Sequence, residues 1–269
     1  MSMSRRDVGH IADLAEYLGV VQGIRNDWVP GDPPERMADV ESPWFRGQHD
    51  AAWGLGPKIY RPEFEGADEN EIRHEFEAVG PQIIPGRVPA TKWEWYFLMQ
   101  HYGIPTRLLD WSENPLVALY FAVTEHKSNS DAAVWAVDPS WLNSQSSVLK
   151  NAGVEGALLH DWEESDSYLH DLEDAYAGDS VKAKYPAAIE PPAVDRRLVA
   201  QASRFVVFGT ARDMTKLYPR TRRGRVRLAR IRIRQLNIGS IHKELLNCGI
   251  TLLTVFPDLE GLAKQIVQR

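Results

Sequence analysis

The sequence predicts an α+β fold in which helices flank a small sheet core with mixed or antiparallel strands. Apolar residues at helical spacing dominate the first half of the chain, whereas alternating strand patterns fall mostly in the second half. Segregated helices and strands are typical of α+β domains. With 269 residues, 43% of them apolar, the chain is long enough to form one domain with a sizeable core.

The early elements are predicted to be helices. The stretch DVGHIADLAEYLGVV predicts an amphipathic helix because its apolar residues lie at helical spacing; they are Ile11, Leu14, Leu18 and Val21. The loop NDWVPGDPPERMADVESP follows it. NEIRHEFEAVGPQII and TKWEWYFLMQHYG predict two further helices, and the second of them ends at Gly103, a residue suited to a helix C-cap.

Short strands are predicted around these helices. WFRGQ predicts a strand that ends at Gly47, and TRLLD predicts a turn that leads into a short extended piece. SENP predicts a helix N-cap with Pro115 in the first turn. LVALYFAVTEH continues as a nearly all-apolar helix, which indicates burial, and the alternation in AAVWAVD predicts another strand.

The last third of the chain is predicted to contain most of the strands. RRLVAQASRFVVFG predicts two strands joined by a turn at Gln201, and RVRLARIRIR predicts a strand with basic residues on one face. IHKELLNCG predicts a helix, and ITLLTVFPDLEGLAKQIV predicts a strand, a proline break and a final helix. The acidic stretch DWEESDSYLHDLEDAYAGD predicts a helical surface insertion around residues 155–180. We therefore expect an N-terminal helix and loop over residues 1–39 and the main domain over residues 40–269.

Charge is distributed unevenly along the chain. Residues 196–234 carry 13 Lys and Arg against one acid, about +12, so the remainder carries about −18 of the net charge of −6. Two interpretations stay open for this basic segment: a solvated strand face that the acidic insertion neutralises, or a surface for phosphate groups. The negative net charge argues against a protein that coats DNA or an anionic membrane.

Composition also limits the chemistry. Cys248 is the single cysteine, which excludes a disulfide framework within the chain and a cysteine-based zinc site. The eight histidines are scattered without metal-ligand spacing, so we expect no metal. The N-terminal stretch has no apolar run of signal-peptide length and no run of 18 apolar residues occurs, so we expect a cytoplasmic protein without membrane association.

The stretch WFRGQHD places Arg46 directly after Trp44 and Phe45, two residues typical of a core. A guanidinium beside Gly47 suits bidentate capture of a phosphate, because a glycine lets the backbone approach a ligand closely. Alternatively, Arg46 closes the strand by bonding carbonyl groups or a carboxylate.

The stretch MQHYGIPTRLLDWSENP concentrates hydrogen-bonding groups between two apolar helices; they are His101, Tyr102, Arg107, Asp110, Trp111 and Asn114. The polar groups of such a loop must form hydrogen bonds with one another or with a ligand. Arg107 and Asp110 can brace each other and fix the loop, while His101 at a helix end can reach the same space. A third candidate, Gln201 in VAQASRF, either binds the polar edge of a ligand or bridges two strands.

Four stretches together resemble the FRG domain, a bacterial and phage-associated domain named for its Phe-Arg-Gly motif. These stretches are WFRGQ, LMQHYGIPTRLLDWSENPLVALYFAV, RRLVAQASRF and ITLLTVFPDLEGLAKQI. The resemblance extends from about residue 40 to about residue 265.

A more distant similarity is to the mono-ADP-ribosyltransferases. It rests on the arginine-glycine at the end of an early strand and on an extended piece with Ser112. A helix of the form Asn-Pro-x-x-Ala-x-x-Phe follows, which Asn114, Pro115, Ala118 and Phe121 match. The similarity implies that Arg46 holds NAD by its phosphates or ribose and that Ser112, or Asp110, supports the nicotinamide pocket.

One position departs from that family's pattern. Where the family carries a late glutamate that stabilises a cationic sugar, this chain has Gln201, and an amide cannot supply the negative charge. Either another carboxylate serves, for which Asp110 is the first choice, or the pocket binds without transfer.

The leading hypothesis is an NAD-using ADP-ribosyltransferase-like enzyme, a toxin or an effector of defence against phage, with a protein or a nucleic acid as acceptor. We expect Arg46, His101, Asp110 and Gln201 to be catalytic. The residues expected to bind NAD are Arg46, Gly47, Gln48, Tyr102, Arg107, Trp111, Ser112 and Asn114. The alternatives are a nuclease or nucleic-acid-binding module that uses residues 212–234, and a regulatory module that binds a nucleotide without chemistry.

Overall fold

Eight strands form one mixed sheet in the part of the chain that the structure, a computed structural model, describes. The described residues are 7–28, 42–84, 87–124, 129–154, 156–160, 184–192, 196–218 and 226–267. Helices pack on the sheet, so the predicted α+β class is confirmed. The predicted acidic insertion lies largely outside the described residues.

The strands are β1 (Asp7–Ile11), β2 (Trp44–Gln48), β3 (Leu108–Ser112), β4 (Ala132–Val137), β5 (Leu158–Leu159), β6 (Ala187–Glu190), β7 (Ser203–Val207) and β8 (Leu228–Ile233). Their order across the sheet is β1-β8-β4-β2-β3-β7-β6-β5. The outermost pairs, β1 with β8 and β5 with β6, are parallel, and the inner pairs are antiparallel.

The helices are α1 (Leu14–Trp28), α2 (Glu69–Val79), α3 (Lys92–His101), α4 (Pro115–Val123), α5 (Pro139–Asn143), α6 (Ser147–Asn151), α7 (Arg196–Ala200), α8 (Met214–Leu217), α9 (Ile238–Asn247), α10 (Leu252–Val255) and α11 (Leu259–Val267). Short 3₁₀ turns cover Lys58–Tyr60, Pro62–Phe64, Gly80–Gln82 and Gln235–Asn237. None of the described helices is long and apolar enough to cross a membrane.

The sheet is covered on both faces. One apolar cluster joins α1, α4 and α9 to one face, and a second cluster fills the other face around Trp44, Trp111 and Trp135. All six residues of β4 are buried, although their sequence pattern predicted alternation. Burial on both faces explains this, because a central strand has no solvated side.

The centre of the sheet divides between β2 and β3. β2 pairs with β4 along its whole length and β3 pairs with β7 along its whole length. The ladder between β2 and β3 is a single residue pair, Phe45 with Ser112. The sheet therefore separates into two halves just where Arg46 follows Phe45.

Gly47 is fixed by the packing of α4 on β2. A Cβ at this position would lie 2.0 Å from the carbonyl oxygen of Ala118 and 2.6 Å from the backbone nitrogen of Ala122. This glycine therefore allows the backbone of α4 to approach closely, whereas the sequence predicted the close approach of a phosphate.

Three predicted elements differ from the structure. Residues 7–11 are strand β1, not the start of the first helix, because they pair with β8 at the edge of the sheet. Residues 196–200 form α7 instead of a strand, and residues 252–255 form α10 instead of a strand. A capping box at Thr251 and Thr254 explains the last difference, since it satisfies the first backbone groups of a helix.

Candidate functional site

A cavity of about 930 Å³ opens where the two halves of the sheet separate. Its lining comes from β2, from the loop and turns over residues 49–62, from the end of α3, from β3, from the residues before β7 and from residues 212–216. Segments far apart in sequence therefore meet around one space. Eight of the sequence-predicted site residues line it: Arg46, Gly47, Gln48, His101, Asp110, Trp111, Ser112 and Gln201.

Arg46 spans the gap between β2 and β3. Its Nη1 donates to the backbone carbonyl of Asp110 at 2.6 Å and lies 3.6 Å from the Asp110 carboxylate. The side chain is 17% exposed, and its Nε has no hydrogen-bond partner. Burial lowers the pKa of the Arg46 guanidinium from its ordinary value, while Asp110 acts to raise it and Arg61 to lower it. Arg46 thus closes the strand and keeps one buried donor, Nε, without a hydrogen-bond partner.

Asp110 is held by the end of α3. The side-chain nitrogen of Gln100 lies 3.0 Å from each carboxylate oxygen of Asp110 and donates to them, and the Gln100 oxygen accepts a bond from the Thr106 hydroxyl. The Asp110 side chain remains 58% exposed towards the cavity and solvent. A carboxylate in a fixed position beside a guanidinium is thereby presented to any ligand in the cavity.

Ser112 joins β3 to the turn before β7. Its hydroxyl donates to the carbonyl of Gln201 at 2.6 Å and accepts from the backbone nitrogen of Asn114 at 2.9 Å. Asn114, predicted to bind the cofactor, is the N-cap of α4, and its side-chain oxygen accepts from the backbone nitrogen of Leu116. Asn114 lies outside the lining of the cavity.

Gln201 stands at the third predicted position. Its side-chain amide donates to the carbonyl of Val255 at 3.1 Å, which ties the turn before β7 to α10. The next residue, Ala202, has φ of 44°, a left-handed conformation that costs energy in a residue other than glycine. The Ala202 carbonyl accepts from the backbone nitrogen of Glu113. The strained turn is therefore fixed from two sides.

Gln48 and Trp111 have different environments. The Gln48 side chain accepts from the Trp135 indole and donates to the carbonyl of Gly54, so both ends of its amide are occupied within the protein. Trp111 is 3% exposed, and its indole nitrogen has no hydrogen-bond partner although the residue lines the cavity. Together with the Nε of Arg46, it is a second unused donor at this site.

Arg107 and Tyr102 lie outside the lining of the cavity. Arg107 is buried and pairs with Glu69 of α2, so the predicted pairing of Arg107 with Asp110 is wrong. Burial raises the pKa of Glu69 above its ordinary value, although the Arg107 charge acts in the opposite direction. Tyr102 is 58% exposed and packs edge-on against His101.

The cavity lining contains four cations besides Arg46 that were not candidates from the sequence. Among its described lining residues, five are Lys or Arg and two are Asp; the cations are Arg46, Arg61, Arg197, Arg212 and Lys216. The basic excess over residues 196–234 was the sequence signal for three of them. No group of three or more His, Cys, Asp or Glu within the described chain is placed to hold a metal ion.

The family comparison agrees with the motif that contains Arg46. Residues 41–131 match the family model of the FRG domain. The chain contains an FRG domain. The match covers about a third of the chain, from β2 to the residue before β4, and so includes Arg46 and Asp110. The wider extent, residues 40–269, stays a prediction. No curated protein and no solved structure matches the chain.

Each residue of the Phe-Arg-Gly motif has its own place in the structure. Phe45 packs in the core, the arginine spans the separated strands and Gly47 admits α4. The cavity uses this unit together with residues 197–216, which lie beyond the match.

Proposed function

We propose that the cavity binds NAD and that the protein transfers the ADP-ribosyl group of NAD to an acceptor. One observation carries the proposal: β2, β3 and β7 lie close together in the sheet, and Arg46 of β2, Asp110 of β3 and Gln201 just before β7 line one cationic cavity. The similarity to mono-ADP-ribosyltransferases rests on the first two of these segments, and Gln201 stands where that family carries a glutamate. A pocket of about 930 Å³ also lies within the range that binds ligands of cofactor size.

The diphosphate of NAD would be held by the cationic part of the cavity. The Arg46 guanidinium lies on the cavity lining in a largely buried position, where a charge-assisted bond to phosphate is stronger than in water. Arg61 and Arg212 add positive charge on the same lining.

The transfer step needs a negative charge near the ribose. The bond between ribose C1′ and the nicotinamide nitrogen breaks, and its electron pair leaves with nicotinamide. A nucleophilic atom of the acceptor then bonds to C1′ and releases its proton to solvent. Because the amide of Gln201 carries no charge, we assign the stabilisation of the cationic sugar to Asp110, whose carboxylate is oriented by Gln100.

The direct test is turnover of NAD by the purified protein. We expect release of nicotinamide, and transfer of label from NAD to material in a cell lysate. Asp110→Asn keeps the shape of the side chain but removes its charge, and should lower the rate at least about 100-fold, the loss typical of one electrostatic group. Arg87→Ala serves as a control, because Arg87 is exposed and pairs with Glu94 outside the cavity lining. Absence of nicotinamide release by the wild-type protein would refute the transferase.

A second candidate is a module that binds the nucleotide without chemistry. The amide of Gln201, bound to the Val255 carbonyl where a catalytic carboxylate is expected, favours it. NAD should then raise the melting temperature while no nicotinamide is released. Turnover by the wild-type protein excludes this candidate.

The cellular role that we propose is a toxin or an effector of defence against phage, which is supported by the sequence resemblance alone. Expression of the wild-type protein in a bacterial host should arrest growth, and expression of the Asp110→Asn variant should not. Equal growth of the two cultures would contradict this role.

A further inference from the structure

We propose that the rim of the cavity formed by Trp53, Arg61, Arg212 and Lys216 binds single-stranded nucleic acid. Bases would stack on Trp53 and phosphates would meet the three cations. The strand would then be the acceptor of the ADP-ribosyl group. The acceptor role rests on the proposed function, whereas the binding itself does not.

Trp53 is an exposed aromatic residue on the lining of the cavity. It is 54% exposed, and its ring lies 6.3 Å from the ring of His49. It lines the main cavity and also a neighbouring cavity of about 400 Å³, which continues to Trp135 and Arg230. An exposed indole that lines two neighbouring cavities is accessible to a planar group from solvent. Such aromatic side chains are the platforms on which unpaired bases stack.

The cations beside Trp53 are available to a ligand. Arg61, Arg212 and Lys216 are exposed, and none of them forms an ion pair with a carboxylate in the described part of the chain. The Arg212 guanidinium lies over the Tyr60 ring, 5.4 Å from its centroid, and this contact holds it at the rim. By contrast, Arg230 in the neighbouring cavity is already paired with Asp7.

The acid between these cations is engaged inside the protein. Oδ1 of Asp213 accepts bonds from the backbone nitrogens of Leu55 and Thr215 and from the Thr215 hydroxyl. Its other oxygen packs against Gly54, where a Cβ would lie only 2.4 Å away. Asp213 thus fixes the rim instead of turning towards a ligand, and the rim keeps a net positive charge.

This combination favours a single strand over a duplex or an acidic peptide. A duplex keeps its bases stacked on one another, so its bases cannot use Trp53. An acidic peptide would use the cations but would gain little from an exposed indole. A phosphate chain with unpaired bases uses both features, as grooves for single strands commonly do.

The test is fluorescence anisotropy with a labelled single-stranded RNA of about 12 nucleotides, within the roughly 4–16 nucleotides that such grooves span. Binding should weaken with salt, and Lys216→Ala should reduce the slope of log affinity against log salt by about 0.7. Trp53→Ala should weaken binding about 5- to 150-fold, whereas Trp53→Phe should retain most of it. Leu259→Ala, which removes an exposed apolar side chain of α11, should bind like the wild-type protein.

The proposal would be overturned if the protein bound neither the RNA nor a single-stranded DNA of the same sequence. It would also be overturned by equal affinity of the wild-type and Trp53→Ala proteins, or by displacement of RNA by polyglutamate as effectively as by unlabelled RNA. Nicotinamide release is measured in parallel, with and without added RNA. Release without RNA binding refutes this inference alone. RNA binding without release in either sample refutes the transferase and with it the acceptor role, but leaves the binding site standing.

Discussion

Gly47 has no room for a side chain, because α4 packs directly against its backbone. Gly47→Ala would drive a methyl group into the backbone of α4, at 2.0 Å from the Ala118 carbonyl oxygen. We expect the free energy of unfolding to fall by about 2 kcal/mol or more, as in severe overpacking of a core. Urea denaturation measures the change.

Gly19→Ala is the matched control for that substitution. Gly19 lies in α1, and a Cβ there meets no atom within 4 Å. Alanine should therefore stabilise the helix by about 0.5–1 kcal/mol. Equal stabilities of Gly47→Ala and the wild-type protein would show that α4 does not pack as described.

The buried pair of Glu69 and Arg107 is a structural interaction within the FRG domain. Glu69 also accepts from the backbone nitrogen of Arg107 at 2.6 Å. Glu69→Ala leaves a buried guanidinium without its carboxylate, which should cost about 3–5 kcal/mol. Glu71→Ala, at an exposed position on the same helix, should change stability by less than about 0.5 kcal/mol. A small effect of Glu69→Ala in thermal unfolding would contradict the assigned pairing.

At the scale of elements, helices with their own capping residues could be predicted from sequence. Asp68, Thr91 and Asn114 each accept a backbone bond at the start of a helix, and the apolar pattern behind them is local. Two of the three misassigned pieces, residues 7–11 and residues 196–200, are five residues long each. Their state depends on distant partners such as β8, which no local pattern reports.

Asn114, the N-cap of α4, is expected to stabilise the helix without contributing to NAD binding. Asn114→Ala removes the acceptor for the Leu116 nitrogen and should cost about 1 kcal/mol of stability, whereas Asn114→Asp should retain the cap. Because Asn114 lies outside the cavity lining, the affinity for NAD should be unchanged in both variants. Thermal unfolding and NAD titration check the two halves of this prediction. Loss of NAD affinity at unchanged stability would instead make Asn114 a ligand-binding residue.

For the whole molecule, the candidate residues could be found from sequence but their assembly could not. Arg46 and Asp110 are 64 positions apart, and Ser112 and Gln201 are 89 apart, yet hydrogen bonds join each pair. The separation of β2 from β3 creates the cavity, and it follows from strand pairing over the entire sheet. The contributions of Arg212 and Lys216 were visible in advance only as an excess of charge over residues 196–234, and that of Arg61 was not visible at all.

The central claim is that these distant segments form one cavity in which Arg46 binds NAD. Isothermal titration of NAD into the wild-type protein, Arg46→Ala and the Arg87→Ala control tests it most directly. Loss of a charge-assisted contact worth roughly 1.5–3 kcal/mol should weaken binding by about one to two decades in Arg46→Ala and leave Arg87→Ala unchanged. Equal affinity in all three proteins, or no heat of binding in the wild-type protein, would contradict the claim.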